Sequence, residues 1–151
     1  MILHLCTYTP LHISSRKNLL DITEKLIENN AVPNSESRNN FAPLHVCSQE
    51  GHDAMATPLI KSEANANVKA RNHLTSMHWV AQEDHVNVAE ILEAAGCEID
   101  AKTKAGYTPL HTACYFGKTN MVLFLLRHKC NINAQTSFGS TALHLAAQQG
   151  E

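Results

Sequence analysis

A single histidine recurs every 33 residues along this chain, and that period constrains the fold more than any other feature of the sequence. Each of these histidines ends a similar four-residue word, which reads TPLH, APLH, TSMH, TPLH and TALH in turn. The five are His12, His45, His78, His111 and His144. A fixed period with a shared word indicates an array of repeats, in which each unit packs mainly on its neighbours. The sequence therefore predicts a solenoid rather than one core built around one active site.

The repeat extends beyond the histidines into the apolar positions. With the histidine as the seventh residue of each unit, the units are 6–38, 39–71, 72–104 and 105–137, with a partial unit at 138–151. Four further slots begin at Leu11, Ile22, Leu26 and Ile27 and recur every 33 residues. They define seventeen positions, of which sixteen are apolar and only Glu93 is not. Stacked units bury such a pattern in one continuous core. We therefore expect residues 1–151 to form a single domain.

Each unit is predicted to contain two helices. Within residues 121–126 the apolar side chains follow the i, i+1, i+4, i+5 spacing of one helical face. Thr108 and Pro109 are typical of a helix start, a capping hydroxyl followed by proline at the first helical position. Gly117 separates the two helices. The expected unit is helix, turn, helix and extended loop, which makes an all-α solenoid with at most short strand pairing at the loop tips.

Composition and charge exclude several classes of protein. The net charge of −2 and the pI of about 6.5 provide no broad basic field for a nucleic acid backbone. Five cysteines and no Asn-x-Ser/Thr sequon do not suit a secreted disulfide scaffold. The first residues lack the pattern of a signal peptide, and the apolar stretch 121–126 is far shorter than the ~20 residues that span a bilayer. We expect a cytoplasmic protein that neither inserts into membranes nor binds nucleic acid.

The residue types that carry chemistry do not form a catalytic or metal-binding pattern. Equivalent positions in stacked helices lie about 8–10 Å apart, too far for two repeat histidines to share a metal at ~2 Å. These histidines, including His111, are predicted to be buried and to bond loop backbone. Cys97 and Cys130 fall one unit apart, and Cys47 and Cys114 fall on small buried slots. No nucleophile, phosphate-binding or zinc motif occurs, so we predict no enzyme activity, no cofactor and no metal.

The 33-residue unit with the word TPLH resembles the ankyrin repeat. That resemblance implies a non-catalytic module that binds a protein or an extended peptide on its concave face, formed by the hairpin tips and the exposed part of each first helix. The tip positions in this chain include Phe41, Leu74, Lys104, Tyr107 and Phe138, and the helix positions include Gln82, Glu83, Tyr115, Phe116 and Gln148.

Tyr115 and Phe116 differ from their counterparts, which are Gln-Glu or Gln-Gln pairs in the neighbouring units. Aromatic side chains on a polar face are typical of binding hot spots. The alternative is that the two rings pack on each other or under a loop. Trp79, which follows a repeat histidine, is expected to pack in the core or at its edge.

A narrower resemblance covers residues 74–151. The stretches LTSMHWVAQEDHVNVAEIL, DAKTKAGYTPLH and ALHLAAQQG are similar to the late repeats of the membrane-binding domain of ankyrins. This implies an adaptor that links cytoplasmic segments of membrane proteins to the spectrin cytoskeleton. The alternatives are a soluble regulator of a signalling or transcription protein, or a targeting module of an enzyme whose catalytic domain is missing. The chain stops halfway through a unit, which indicates a fragment or a truncated product.

Some positions depart from the repeat. Pro58 falls inside a second helix, so either the helix restarts there with Thr57 as its cap or the second unit is locally weak. Glu93 must reach solvent or find a partner. Glu63 and Lys129 stand where Gly96 supplies a left-handed residue after the second helix, a conformation that costs more without glycine.

Overall fold

The computed structural model describes residues 8–150, and nine α-helices but no strand occur in that part of the chain. The prediction of an all-α solenoid is confirmed. The first helices of the units are α1 (Pro10–Arg16), α3 (Pro43–Glu50), α5 (Ser76–Glu83), α7 (Pro109–Tyr115) and α9 (Ala142–Gln148). The second helices are α2 (Leu20–Glu28), α4 (Asp53–Lys61), α6 (Val86–Ala94) and α8 (Thr119–Arg127). A single 3-10 turn spans Arg71–His73.

The helices form two layers. Each first helix packs on the next first helix, each second helix on the next second helix, and the two helices of a unit pack on each other. The shared slots fill the space between the layers, so that Met77, Val88 and Leu92 of the third unit are fully buried. Leu143 of the partial unit, Leu126 of the fourth unit and Ile22 of the first unit are exceptions, with 77%, 45% and 50% of their surface exposed. They lie on α2, α8 and α9, and within residues 8–150 each of these helices packs on the corresponding helix of a neighbouring unit on one side only.

Extended loops connect each second helix to the next first helix and turn at a hairpin tip. Adjacent tips are joined by single backbone hydrogen bonds, in which Arg71, Lys104 and Ser137 donate to the carbonyls of Asn39, Asn72 and Ala105 at 3.1, 3.0 and 2.9 Å. These bonds hold neighbouring units in register.

Pro58 lies inside α4, which runs unbroken from Asp53 to Lys61. The alternative of a helix restart at Thr57 is therefore wrong. Pro58 has no N–H to donate to the carbonyl of Ala54, four residues earlier in the same helix. The local weakness of this unit remains a prediction.

The other departures are accommodated. Glu63 and Lys129 adopt the left-handed conformation expected at their slot, with φ of 70° and 57°. Asp84, which replaces the glycine between two helices, is also left-handed (φ 64°), and its carboxylate accepts hydrogen bonds from the backbone of Met121 and the amide of Asn120. The carboxylate of Glu93 is partly exposed and lies 3.5 Å from Nδ1 of His128. It therefore both reaches solvent and has a neighbour.

Candidate functional site

The repeat histidines form a ladder that fastens each first helix to a loop. Nδ1 of His78 and of His111 accepts the backbone N–H of Thr75 and of Thr108, at 3.2 and 3.1 Å. This leaves the ring proton on Nε2. Nε2 of His111 then donates to the carbonyl of Ser140 at 3.1 Å. The prediction that His111 is buried and bonds loop backbone is confirmed.

The other members of the ladder follow the same scheme. Nε2 of His12 donates to the carbonyl of Phe41 at 2.7 Å, and Nε2 of His78 to that of Tyr107 at 2.9 Å. His45 differs because its Nε2 donates to Val68, at 3.0 Å. Each of these bonds reaches a loop that follows the histidine's own pair of helices. The bonds of His12 and His78 couple one unit to the next, whereas Val68 lies in the same unit as His45.

Burial keeps the ladder uncharged. Loss of solvent lowers the pKa of His45 and that of His78 to about 4, and it lowers the pKa of His12 and His111 in the same direction. These imidazoles are neutral at pH 7. They hold the fold together, and no group of three or more His, Cys, Asp or Glu within residues 8–150 is arranged to hold a metal ion.

A second ladder of amides and a carboxylate was missed by the sequence reasoning. Asn34, Asn67 and Asp100 lie one unit apart, and their Oδ1 atoms accept the backbone N–H of Asn65, Glu98 and Asn131 at 2.7, 2.7 and 2.9 Å. The amides of Asn34 and Asn67 also donate to the carbonyls of Glu63 and Gly96. The signal was present as an Asn or Asp every 33 residues. This ladder braces the loops in which the left-handed residues lie.

Side chains of the hairpin loops and the first helices meet around one groove. The groove has a volume of about 250 Å³, and its lining includes Leu74 and Tyr107 from two loops, Gln82 from α5, and Phe116 just after α7. A second hollow of about 230 Å³ adjoins it and is lined by Tyr107, Thr112, Tyr115 and Phe116. Five of the predicted contact residues are therefore brought together, namely Leu74, Gln82, Tyr107, Tyr115 and Phe116.

Tyr115 and Phe116 pack on each other and still remain accessible. Their ring centroids lie 5.0 Å apart at an interplanar angle of 81°, an edge-to-face contact. Each residue keeps 46% of its surface exposed. Both rings line the second hollow, and that of Phe116 also lines the groove beside it.

The remaining predicted contact residues lie elsewhere. Phe41 packs on His45 and on Trp79, with ring centroids 5.4 Å apart in each case, so its ring is partly used within the protein. Trp79 itself is half-buried, consistent with packing at the edge of the core, and its Nε1 is buried without a hydrogen-bond partner. Lys104, Phe138 and Gln148 are exposed outside these hollows. Glu83 is exposed and accepts a hydrogen bond from its neighbour Gln82.

The buried cysteines have no feature of reactive thiols. Burial raises the pKa of Cys47 and of Cys97 to about 12 and that of Cys130 to about 11. Cys97 and Cys130 are free thiols, as their separation by one unit predicts. Cys47 is fully buried, as expected, whereas Cys114 is only partly buried. Cys6 lies outside the described residues.

Comparison with known proteins identifies the family. The model of ankyrin repeats (3 copies) matches residues 2–72 and 77–151, which is nearly the whole chain, and the chain belongs to this family. No curated protein matches it. Ankyrin repeats indicate a protein–protein interaction module. Within residues 8–150, no helix has the length and apolar character needed to cross a bilayer.

Proposed function

We propose that this chain is a non-catalytic module that binds an extended segment of a partner protein in the groove between its hairpin loops and first helices. The observation that carries this proposal is the pair of half-exposed rings, Tyr115 and Phe116, at the rim of that groove. Aromatic side chains contribute a large share of the binding energy at protein interfaces when a partner removes them from water.

The groove favours a peptide over a compact small molecule. It is shallow and continuous with a second hollow through Tyr107 and Phe116, which line both. Small-molecule sites are usually enclosed cavities of about 300–1,000 Å³. An extended chain can instead lay successive side chains into two small, adjoining hollows.

The partner class that we propose is the cytoplasmic segment of a membrane protein, which the chain would link to the spectrin cytoskeleton as a cytoplasmic adaptor. The similarity of residues 74–151 to the late repeats of the membrane-binding domain of ankyrins supports this assignment. These residues include most of the groove, from Leu74 to Phe116.

The placement can be tested by replacing the aromatic pair. Tyr115→Ala with Phe116→Ala should weaken a peptide partner by at least about 2 kcal/mol, close to thirtyfold in Kd, because hot-spot residues contribute at this level. The matched control is Gln49→Ala with Glu50→Ala, the equivalent pair two units earlier, which should matter less. If affinity survives the aromatic change and collapses with the control, the binding centre lies in the second unit.

The partner class needs a separate experiment. Pull-downs with a panel of cytoplasmic membrane-protein tails, and with soluble signalling and transcription proteins, should recover the tails with the unmodified chain and lose them with the aromatic variant. Recovery of soluble proteins alone would contradict the adaptor role and support the alternative that the chain is a soluble regulator.

A further inference from the structure

Basic side chains recur on the hairpin loops of three successive units. Lys69 and Arg71 occupy two slots of the second unit's loop, Lys102 and Lys104 occupy the same slots one unit later, and Arg38 fills one of them in the first unit. All five side chains are exposed, and we call them the hairpin ridge. The remaining slot of the set holds an acid, Glu36, which is also exposed.

The ridge side chains form no ion pair within residues 8–150. The ion pairs found in residues 8–150 are Lys25 with Glu28 and His128 with Glu93, and neither involves a ridge residue. The hydrogen bonds that hold the tips together use the backbone N–H groups of Arg71 and Lys104, so the side chains do not serve the fold there. Five of the chain's 12 Lys and Arg residues thus cluster on one edge of a protein whose net charge is −2.

The fold sets the spacing of the ridge. Backbone bonds join Asn39 to Arg71 and Asn72 to Lys104, so the three tips follow one another without a gap. Stacked helices bring successive units about 8–10 Å apart. A polyproline II chain has three residues per turn and rises ~3.1 Å per residue, so every third side chain returns to one face after ~9 Å. These two spacings agree.

We propose that the hairpin ridge binds an acidic, extended segment of a partner protein in which carboxylates recur at every third residue. This inference rests on the proposed function, because the ridge runs beside the groove that would receive the rest of the segment. Arg38, Arg71 and Lys104, one on each of three tips, would each meet one carboxylate.

The acids nearby favour a peptide over a nucleic acid. Glu36 occupies the slot of Lys69 and Lys102 in the first unit, beside the ridge, and Glu83 is exposed next to Gln82, which lines the groove. A nucleic acid carries a negative charge on every nucleotide and would place phosphates against these carboxylates. A peptide with acids only at every third residue can place neutral side chains there.

The test uses a labelled peptide of Glu-Pro-Pro repeated four times and measures its binding by fluorescence anisotropy. The ridge variant combines Arg38→Gln, Arg71→Gln and Lys104→Gln and should bind about tenfold more weakly, as expected for the loss of three exposed ion pairs. The control combines Lys61→Gln, Arg127→Gln and Lys129→Gln, exposed cations at or just beyond the ends of α4 and α8, with the same change in charge. It should bind within about twofold of the unmodified chain. Equal losses in the two variants would overturn the ridge, because only the total charge would then matter.

Register and partner class are tested with two further probes. A peptide of the same composition with its glutamates adjacent should bind about fivefold more weakly, because it cannot reach three tips at once. Equal affinities for the two peptides would contradict the proposal that carboxylates at every third residue are recognised. If a single-stranded oligothymidine binds more tightly than either peptide and depends on the ridge, the partner is a nucleic acid and the proposal is wrong.

The same assay separates this inference from the proposed function. If the Tyr115→Ala and Phe116→Ala change affects no peptide while the ridge variant weakens binding, binding in the groove is contradicted and binding at the ridge is supported. If the aromatic change weakens binding while the ridge variant has no effect, binding at the ridge is contradicted and binding in the groove is supported.

Discussion

Acid should destabilise this protein because its buried histidines bind protons more readily in the unfolded chain than in the folded chain. His45 and His78 are 0% and 1% exposed, and each Nδ1 already accepts a backbone N–H, from Ala42 and Thr75. Protonation would turn that acceptor into a donor facing another donor. Burial also disfavours the charged ring and lowers the pKa of each histidine to about 4, from an ordinary value of 6.5.

The sign and the pH window follow from these pKa values. Between pH 4 and 6.5 the unfolded chain binds protons that the folded chain does not, so the free energy of unfolding falls as pH decreases. The contribution is fully present above 6.5 and is lost progressively down to the folded pKa. At about pH 5 the free energy of unfolding should be lower than at neutral pH by about 2 kcal/mol for each histidine, or about 4 kcal/mol for the two together. A domain of ordinary stability has only about 5–15 kcal/mol to lose.

Urea unfolding followed by circular dichroism at about pH 7.5 and pH 5 measures this loss. His78→Gln should lower stability at both pH values, yet its loss on acidification should be about 2 kcal/mol smaller than that of the unmodified chain. His144→Gln is the matched control, because His144 occupies the same slot and accepts the N–H of Thr141 but is exposed. The reasoning is refuted if the unmodified chain and His78→Gln lose the same free energy between the two pH values.

Three further changes test individual structural assignments. Pro58→Ala should stabilise α4 by ~1–3 kcal/mol by restoring an interior hydrogen bond, with more hydrogen-exchange protection over residues 53–63; unchanged protection would contradict it. Ser76→Pro should increase the free energy of unfolding by ~1 kcal/mol and so raise Tm, and a lower Tm would contradict this. Ser76 is the first residue of α5 and follows an extended Thr75, and its hydroxyl is buried without a hydrogen-bond partner. His111→Ala should lower stability by ~1–2 kcal/mol in thermal denaturation, and unfolding of the native chain by a zinc chelator would contradict a purely structural role.

The parts of the fold that repeat were predictable because a core position has to satisfy the same neighbours in every unit. Met77, Val88 and Leu92 were assigned to the core from the period alone and are fully buried. The same reasoning could not place Ile22, Leu126 and Leu143, because within residues 8–150 their helices pack on the corresponding helix of a neighbouring unit on one side only. It also could not decide how α4 accommodates Pro58, because the packing of α4 on its neighbours is tertiary information.

The candidate site was less predictable because its residues vary between units. The family resemblance implied that loops and first helices share a face, and Leu74, Gln82, Tyr107 and Phe116 do line one groove. Phe41 was grouped with them, yet its ring packs on Trp79. The slot of Trp79 holds Ile13, Val46, Thr112 or Leu145 in the other units, so the ring that Phe41 contacts is a feature of the third unit and not of the repeat.

Tyr107 connects the stability of this fold to its proposed binding surface. Its carbonyl accepts the Nε2 proton of His78, and its side chain lines both hollows of the groove. The backbone of a hairpin loop therefore serves the array, whereas its side chains remain available to a partner. A partner that contacts Tyr107 would hold the loop against His78, whereas a proton added at Nδ1 of His78 would break the bond to Thr75 at the start of α5 and leave the Nε2 bond to Tyr107 in place. Because each unit packs mainly on its neighbours, such a local change would act first on the third and fourth units, which together form the groove.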